Sequence, residues 1–548
     1  MDRISSLPEP LLQHIMSFLP FKQVVQTSLV SKVWRQAWLT FPVLEFDEHS
    51  ESYKFPVIKH LLKRILEIRK DWYQILQIRH RNMVGVRKMT LNTGDSELAD
   101  RCASYAIENN VKELILKIDQ SLLMWYTLPS FVLCSKSIDV LQLEGCKLEL
   151  PRRELKLSLR RLCLSQVYAD DQVINNVLLR CSLIEHLELS HCAGFKSLEL
   201  FGLAKLSEIT LGHNDELKRL KIDALNANSS LCISGTVPSE LDICNNMTSL
   251  SLAGIGSFTD EWLCSYISRI PLLERLYITQ FYNIERMKIS SCRLKTLGIS
   301  ICRKLVEVGI ETPNLSTFSY VGDLISFSSS ATLNLSETNL CFTPYTASFR
   351  RKDFDDIEPE WYEKYIELIA KFRQFSTVVN LESGYWEYLH FPGELRQNLT
   401  PPLSGVKHLN FRTRSLKLNY ELAKVIDFLL WISPHAETIY LDYSDHKLRF
   451  QFWYKERPPV YEGEIARCCK SLPVVSCWEH CIKKVDIEIT SRYTELYLAT
   501  GEMRRSTKVK RCVVEGERIL EKIDGVVESG VSNFTLHEGP FRQPETIE

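Results

Sequence analysis

The stretch IDVLQLEGC, residues 138–146, sets an apolar residue, two others, an apolar residue, one other and an apolar residue, with a cysteine three positions later. The closing alternation sends successive side chains to opposite faces, as a strand requires. The phrase recurs as VRKMTL from 86, VKELIL from 111, LRRLCL from 159, IEHLEL from 184, LSEITL from 206, MTSLSL from 247, LERLYI from 273, LKTLGI from 294 and LSTFSY from 315. Copies start 21 to 27 residues apart, except for one gap of 41 that nearly halves if NSSLCI, from 228, is a degenerate copy. Such a period predicts one small structural unit stacked many times, because a single copy cannot bury its own apolar side.

With Cys146, Cys192, Asn214 and Cys302 each three residues past a strand core, the array resembles a leucine-rich repeat. Those residues are expected to turn inward and serve the turning backbone. A redox or metal reading of the thiols is weaker, since stacked repeats would align them as a buried column and the chain has no CxxC pair. Side chains between the last two apolar positions face a partner in such an array: Thr90, Ile115, Gln142, Glu188, Thr210, Ser251, Tyr277, Gly298 and Ser319. Their mixed chemistry argues for a protein or peptide ligand rather than a phosphate track.

Working towards the N-terminus, LPEPLLQHIMSFLPFKQVVQTSLVSKVWRQAW, residues 7–38, has prolines at 8, 10 and 20 among apolar residues at helical spacing, which predicts three short helices. Leu11, Leu12, Ile15, Phe18 and Leu19 fall along one broad face, Pro20 ends the first helix, and Ser31 is placed to cap a third that carries Trp34 and Trp38. Forty residues make a core too small to stand alone, so some apolar surface should stay uncovered until another protein covers it.

Leu7-Pro8, Leu12, Ile15, Leu19-Pro20, Val30-Ser31, Lys32 and Trp34-Arg35 together resemble an F-box. The resemblance implies docking on a Skp-type adaptor and, through it, a cullin. Carried over position by position, Leu7, Pro8, Leu12, Ile15, Leu19, Pro20, Val30, Ser31 and Trp34 would form or support the adaptor-binding face. The sequence departs from the usual pattern at Pro10 and Gln23, where an acidic residue is common, and at Val33, where a basic one is. A helical cap on a repeat array would use the same apolar spacing.

Residues 55–80 read as an amphipathic helical connector, and between about 322 and 400 the repeat fades, with a helix expected from Pro359 to Phe375. The phrase returns as VKHLNF from 406 and AETIYL from 436, flanking a helix from Tyr420 to Ile432 with Leu422, Val425, Ile426, Leu429 and Leu430 inward. Further on, Cys477-Trp478, His480-Cys481-Ile482-Lys483 and Val485-Asp486-Ile487-Glu488 resemble the opening strand of the FBD domain that follows leucine-rich repeats in many plant F-box proteins.

Sixty-seven basic against sixty-eight acidic residues leave a net charge of −1, which argues against a partner chosen by charge, nucleic acid above all. The basic cluster Arg504, Arg505, Lys508, Lys510 and Arg511 lacks an aromatic stacking platform and reads as a solvated face. Cys468, Cys469, Cys477, His480 and Cys481 offer zinc ligands without two separated pairs, so buried thiols are preferred and no built-in RING is expected. Gly254-x-Gly256 lacks a third glycine for a dinucleotide loop, and the acids Asp355 and Asp356 lie in a polar linker rather than a pocket. The expectation is a reduced, soluble chain without secretory signal or membrane span, in the cytoplasm or nucleus.

These readings combine into an α/β chain: a three-helix F-box over 1–46, a connector over 47–85, an irregular leucine-rich repeat solenoid over 86–330, its continuation over 331–459, an FBD-like α/β extension over 460–525 and a tail over 526–548. The expected function is noncatalytic: the substrate-recognition subunit of an SCF-type ubiquitin ligase, its repeats capturing a protein of unknown identity, with no cofactor and no metal. The alternative is a repeat scaffold without ligase association. A third reading has a small molecule fill the concave side and act as adhesive.

Overall fold

The computed structural model describes residues 4, 6–47, 85–119, 125–223 apart from 153, 154 and 156, 229–255, 258–329, 335–343, 359–373, 378–383, 396, 399–413, 418–443, 446–455, 481–497 and 502–515, with isolated positions at 519, 522, 523 and 527. The expected connector, together with Asp355, Asp356, Cys468, Cys469, Cys477 and His480, falls outside the described residues. The chain divides into two compact units, one of Met1–Ser257 with Arg269–Leu273 and one of Phe258–Ser268 with Glu274–Glu548.

The first unit opens with three helices, α1 (Glu9–Met16), α2 (Phe21–Thr27) and α3 (Lys32–Leu39). Pro8 and Pro20 occupy the N-cap positions of α1 and α2, and the Ser31 side chain accepts the Trp34 N–H at 3.3 Å to cap α3. Leu12, Met16, Val24, Trp34, Ala37 and Phe41 form the core of this bundle. The broad apolar face expected on α1 is split: Leu12 and Met16, four apart, point inward, whereas Leu11 and Phe18 stand exposed. A helix of two turns packed against α3 can cover only one stripe.

Directly after the helices, β1 (Val43–Asp47) pairs in parallel with β2 (Lys88–Thr93). The alternation VLEFD already carried that strand, which places the last residues of the expected F-box segment in the repeat ladder. The ladder continues in parallel through β3 (Glu113–Ile118), β4 (Val140–Glu144), β5 (Arg161–Ser165), β6 (His186–Ser190), β7 (Glu208–Gly212), β8 (Ser230–Thr236) and β9 (Ser249–Ile255). Every strand phrase read from the sequence in this unit is a strand, the degenerate NSSLCI included. A second parallel ladder runs through Ser197–Leu200, Arg219–Ile222 and Glu240–Asp242.

Helices α4 (Ser96–Glu108) and α5 (Asp171–Leu179) are started by Asp95 and Asp170, whose carboxylates accept backbone N–H groups of the first turn. Each cap stabilises its helix by about 1 kcal/mol. Asp171 reaches further, accepting the N–H groups of Lys196 and Ser197 at 2.7 Å and tying α5 to the next repeat.

In the second unit α6 (Asp260–Ser268) uses the same device: Asp260 accepts the N–H groups of Glu285 and Arg286 at 3.0 and 2.9 Å. The main ladder runs in parallel through β10 (Arg275–Thr279), β11 (Thr296–Ser300), β12 (Thr317–Gly322), β13 (Glu337–Phe342), β14 (Val379–Ser383), β15 (His408–Thr413) and β16 (Thr438–Tyr443). The strands at 337–342 and 379–383 fill the stretch where the repeat fades in sequence, since the first has Thr338 in place of the middle apolar residue of the phrase and the second has Ser376 in place of its first. Helix α7 (Pro359–Arg373) covers the buried side through Phe372, stacked 5.5 Å from Phe318, and Tyr365, edge-on to Phe342 at 5.6 Å. Helix α8 (Leu418–Ile432) buries Leu422, Val425, Ile426, Leu429 and Leu430 as expected.

After β16 the direction reverses. Strands β17 (His446–Tyr454), β18 (Ile482–Tyr497) and β19 (Glu502–Glu515) form an antiparallel meander on the end of the ladder. β18 contains the second half of the FBD-like signature, with Val485, Ile487 and Ile489 buried. The basic cluster lies along β19, and its Arg511 donates to Glu488 at 2.8 Å, an ordinary cross-strand pair.

Candidate functional site

Two surfaces present chemistry that the folding core does not consume. The first is the helical bundle of unit one. Among the proposed adaptor-binding residues, Pro8, Pro20 and Val30 are exposed, Leu7, Ile15, Leu19 and Ser31 are half-buried, and Leu12 and Trp34 lie inside the bundle's own core. The last two therefore belong to the bundle's interior and not to its surface. Val30, one of the expected residues, is 63% exposed; sequence reading missed the other side chains that stand furthest out: Phe18 is 75% exposed, Leu29 79%, and Leu11 and Val33 about half. Leu29, Val30 and Val33 flank the turn between α2 and α3, and Phe18 leaves the end of α1 edge-on to His14 at 4.9 Å. Large apolar side chains cost about 1.5–3 kcal/mol each to leave in water rather than bury, so this concentration in thirty residues is surface that a covering partner would stabilise.

The second surface is the exposed row of the ladder. In unit one, cross-strand register aligns Glu45, Thr90, Ile115, Gln142, Cys163, Glu188, Thr210, Cys232 and Ser251. In unit two the equivalent row begins Tyr277, Gly298, Ser319. All nine positions expected to face a partner are on these rows. The Tyr277 ring covers Gly298 so closely that a Cβ there would sit 2.6 Å from Cδ1.

Beyond Ser319 the row becomes an amide ladder. Asn339, Asn380 and Asn410 are register partners on β13, β14 and β15, and each donates its side-chain N–H to the oxygen of its predecessor, Asn339 finishing on Ser319 Oγ at 3.2 Å. Asn380 also donates to Glu337 at 2.8 Å. Next come Tyr440, Arg449, Glu488 and Arg511, with the Arg449 guanidinium 5.9 Å from the Tyr440 ring centroid. One row over, Asp442 stands between Arg412 at 3.5 Å and Lys447 at 3.6 Å.

All of these except Arg511 line a depression of about 530 Å³ in unit two, with amides and both signs of charge in its wall. Side-chain amides both donate and accept, as a peptide backbone does, and the charged groups beside them are of both signs. The sequence signal was the recurring Asn before the last apolar residue in Thr338-Asn339-Leu340, Val379-Asn380-Leu381 and Leu409-Asn410-Phe411.

The inward Cys and Asn positions are structural, as their spacing suggested. Asn214 accepts the Cys192 N–H and donates to the Leu189 carbonyl, both at 2.9 Å. Burial pushes the Cys146 thiol up to about 12 and those of Cys192 and Cys302 up to about 11. Gly254 is likewise a packing glycine: at φ +147°, its position would put a Cβ 1.6 Å from the Gly235 carbonyl oxygen.

The stub and the ladder have separate counterparts among known families. Residues 4–46 match the F-box domain, and residues 75–242 and 230–360 match the family described as At1g61320/AtMIF1, LRR domain. The chain belongs to the F-box/leucine-rich-repeat proteins. It is similar to the putative F-box/LRR-repeat protein At3g18150 of Arabidopsis thaliana, 25% identical over 55% of this chain and 62% of that protein. It is also similar to the FBD-associated F-box protein At3g52670 of the same plant, 30% identical over 42% of this chain and 57% of that protein. With the F-box/FBD/LRR-repeat protein At3g52680 it shares 33% identity over 34% of this chain and 40% of that protein. The chain thus spans about three fifths of the length of the first two relatives.

Proposed function

We propose that the chain is the substrate-recognition subunit of an SCF-type ubiquitin ligase: the helical bundle docks a Skp-type adaptor, and through it a cullin, while the exposed row captures a target protein. The carrying observation is the set of uncovered apolar side chains around Phe18, Leu29 and Val30 on a bundle whose own core is already closed. Catalysis by this chain is not required. Holding a target lysine beside a ubiquitin-charged enzyme replaces a rare collision by a local encounter. The reading puts the chain in the cytoplasm or nucleus, supported by the burial of Cys102, Cys146, Cys181 and Cys192 as thiols.

The deciding experiment is a pull-down from plant extract with wild type and a Phe18→Ser, Leu29→Ser double variant. Adaptor and cullin retained by wild type and lost by the variant support the proposal; equal retention, or none by either, leaves a repeat scaffold outside ubiquitin chemistry. The depression over the amide ladder favours one second reading, a small molecule bound there that joins the target to the receptor. Target capture that requires a dialysable component would distinguish it.

A further inference from the structure

Among the described residues, one cluster on the exposed row of unit one gathers ligand atoms of three chemistries: the Cys163 thiol, the His186 imidazole and the Glu188 carboxylate, all within 4.8 Å of one another. The fold creates it by register. Cys163 on β5 is the cross-strand partner of Glu188 on β6, and His186 lies two residues before Glu188 and so on the same face. On β7, Glu208 is the partner of His186, and its carboxylate meets His186 Nδ1 at 2.8 Å.

We propose that Cys163, His186 and Glu188 form a binding site for a divalent transition metal of the zinc class, with Glu208 orienting the imidazole from behind. An imidazole that gives its Nδ1 proton to Glu208 turns the lone pair of Nε2 towards Glu188, 3.7 Å away. Metal-binding histidines are typically held in this way by a carboxylate on the other nitrogen. Ligand atoms about 2.0–2.3 Å from a tetrahedral ion stand roughly 3.3–3.7 Å apart, so the histidine and glutamate already have the required separation, and small side-chain rotations bring in the thiol.

A thiolate with an imidazole selects zinc or cobalt over magnesium or calcium, which prefer all-oxygen sites. Gln142 and Thr210, the row neighbours of Cys163 and Glu188, flank the site with neutral groups; burial and the Glu188 carboxylate favour the protonated thiol, and Arg161, opposite His186, partly opposes them. Three protein ligands leave a fourth position for water on the face where a partner would sit.

The test titrates the chelator-treated, full-length, reduced protein with Co2+. Wild type should take up one equivalent more than Cys163→Ser, and the difference spectrum should contain a thiolate charge-transfer band and the strong visible bands of tetrahedral cobalt. Any cobalt held by other cysteines cancels in this difference. Glu208→Gln should weaken the same equivalent about 10–100-fold without moving the bands, which a merely structural role would not produce. A null difference between folded wild type and Cys163→Ser overturns the site and leaves a histidine bridging two glutamates. If Cys163→Ser fails to fold, Glu188→Gln replaces it, and an unchanged cobalt affinity in that variant overturns the proposal equally.

Discussion

Asn380 donates its side-chain N–H to the oxygen of Asn339 at 2.6 Å across two parallel strands, while its own oxygen receives the amide of Asn410. Three asparagines in register thus form a continuous chain of hydrogen bonds along the surface, with Glu337 as a side branch at 2.8 Å. Polarised chains of this kind hold side chains in one arrangement before anything binds.

Removing the central member should be felt on both sides. Asn380→Ala is expected to cost about 1–2 kcal/mol in urea unfolding, because it leaves Asn339 and Asn410 each without one partner. Asn380→Asp keeps the shape but sets a second carboxylate beside Glu337. Its cost should exceed that of a neutral replacement of the same shape and shrink as added salt screens the repulsion.

The helical bundle separates docking from folding. Phe18→Ser should weaken adaptor binding about 10–100-fold, the equivalent of about 1.5–3 kcal/mol of lost burial, with the melting temperature unchanged. Trp34→Ala should instead destabilise the bundle by about 3–5 kcal/mol, because that ring is inside the core. Surface plasmon resonance together with thermal unfolding distinguishes the two, and equal melting temperatures for both variants would contradict the placement of Trp34.

Two glycines with positive φ should respond differently to alanine. At Gly254 the new methyl meets the Gly235 carbonyl oxygen at 1.6 Å, whereas at Gly202, φ +68°, nothing lies within 4 Å. Gly202→Ala should cost about 1 kcal/mol, the strain of a left-handed backbone alone, and Gly254→Ala well over 2 kcal/mol because two strands must separate. Parallel chemical denaturation of the two variants checks the ranking.

Ile301 holds a left-handed backbone at φ +55°, immediately after its strand, although its side chain is branched at Cβ. Gln166, His191, His213 and Gln280 take the same conformation at the same place in other repeats. Ile301→Asn should raise stability by about 1 kcal/mol, since asparagine tolerates this region and the N–H bond to the Val321 carbonyl at 2.7 Å is kept. A fall in melting temperature would show that Ile301 packing outweighs its strain.

Buried thiols should make the fold sensitive to alkali. Burial raises Cys102 and Cys146 to about 12, above the value of about 8.5 for an unfolded chain, so their contribution to stability is complete below about pH 8.5 and is lost as pH rises towards 12. In the native protein near pH 8, iodoacetamide should modify exposed Cys292 well before either of them, as read by peptide mass spectrometry.

The repeat phrases, the inward Cys and Asn positions, the proline-punctuated helices and the nine row positions could all be read from the chain, because each rests on local periodicity and each strand needs only its neighbour's backbone. The Pro359 and Tyr420 helices were legible for the same reason, the second starting two residues early at Leu418; the end expected for the first, Phe375, lies outside the described residues.

Which apolar side chains of the F-box-like segment face outward was a different matter. Leu11 and Leu12 are adjacent and chemically identical, and only the packing of α1 against α3 buries one and exposes the other. The amide ladder joins residues 41 and 30 positions apart, and the cysteine–histidine–glutamate cluster draws on strands 25 residues apart; the repeat puts these residues on one row, but which side chains bond along it is decided in three dimensions. Short-range hydrophobic alternation specifies the elements and their stacking. Cross-strand register, a three-dimensional outcome of turn lengths and core packing, decides which polar side chains meet and therefore what the surface can bind.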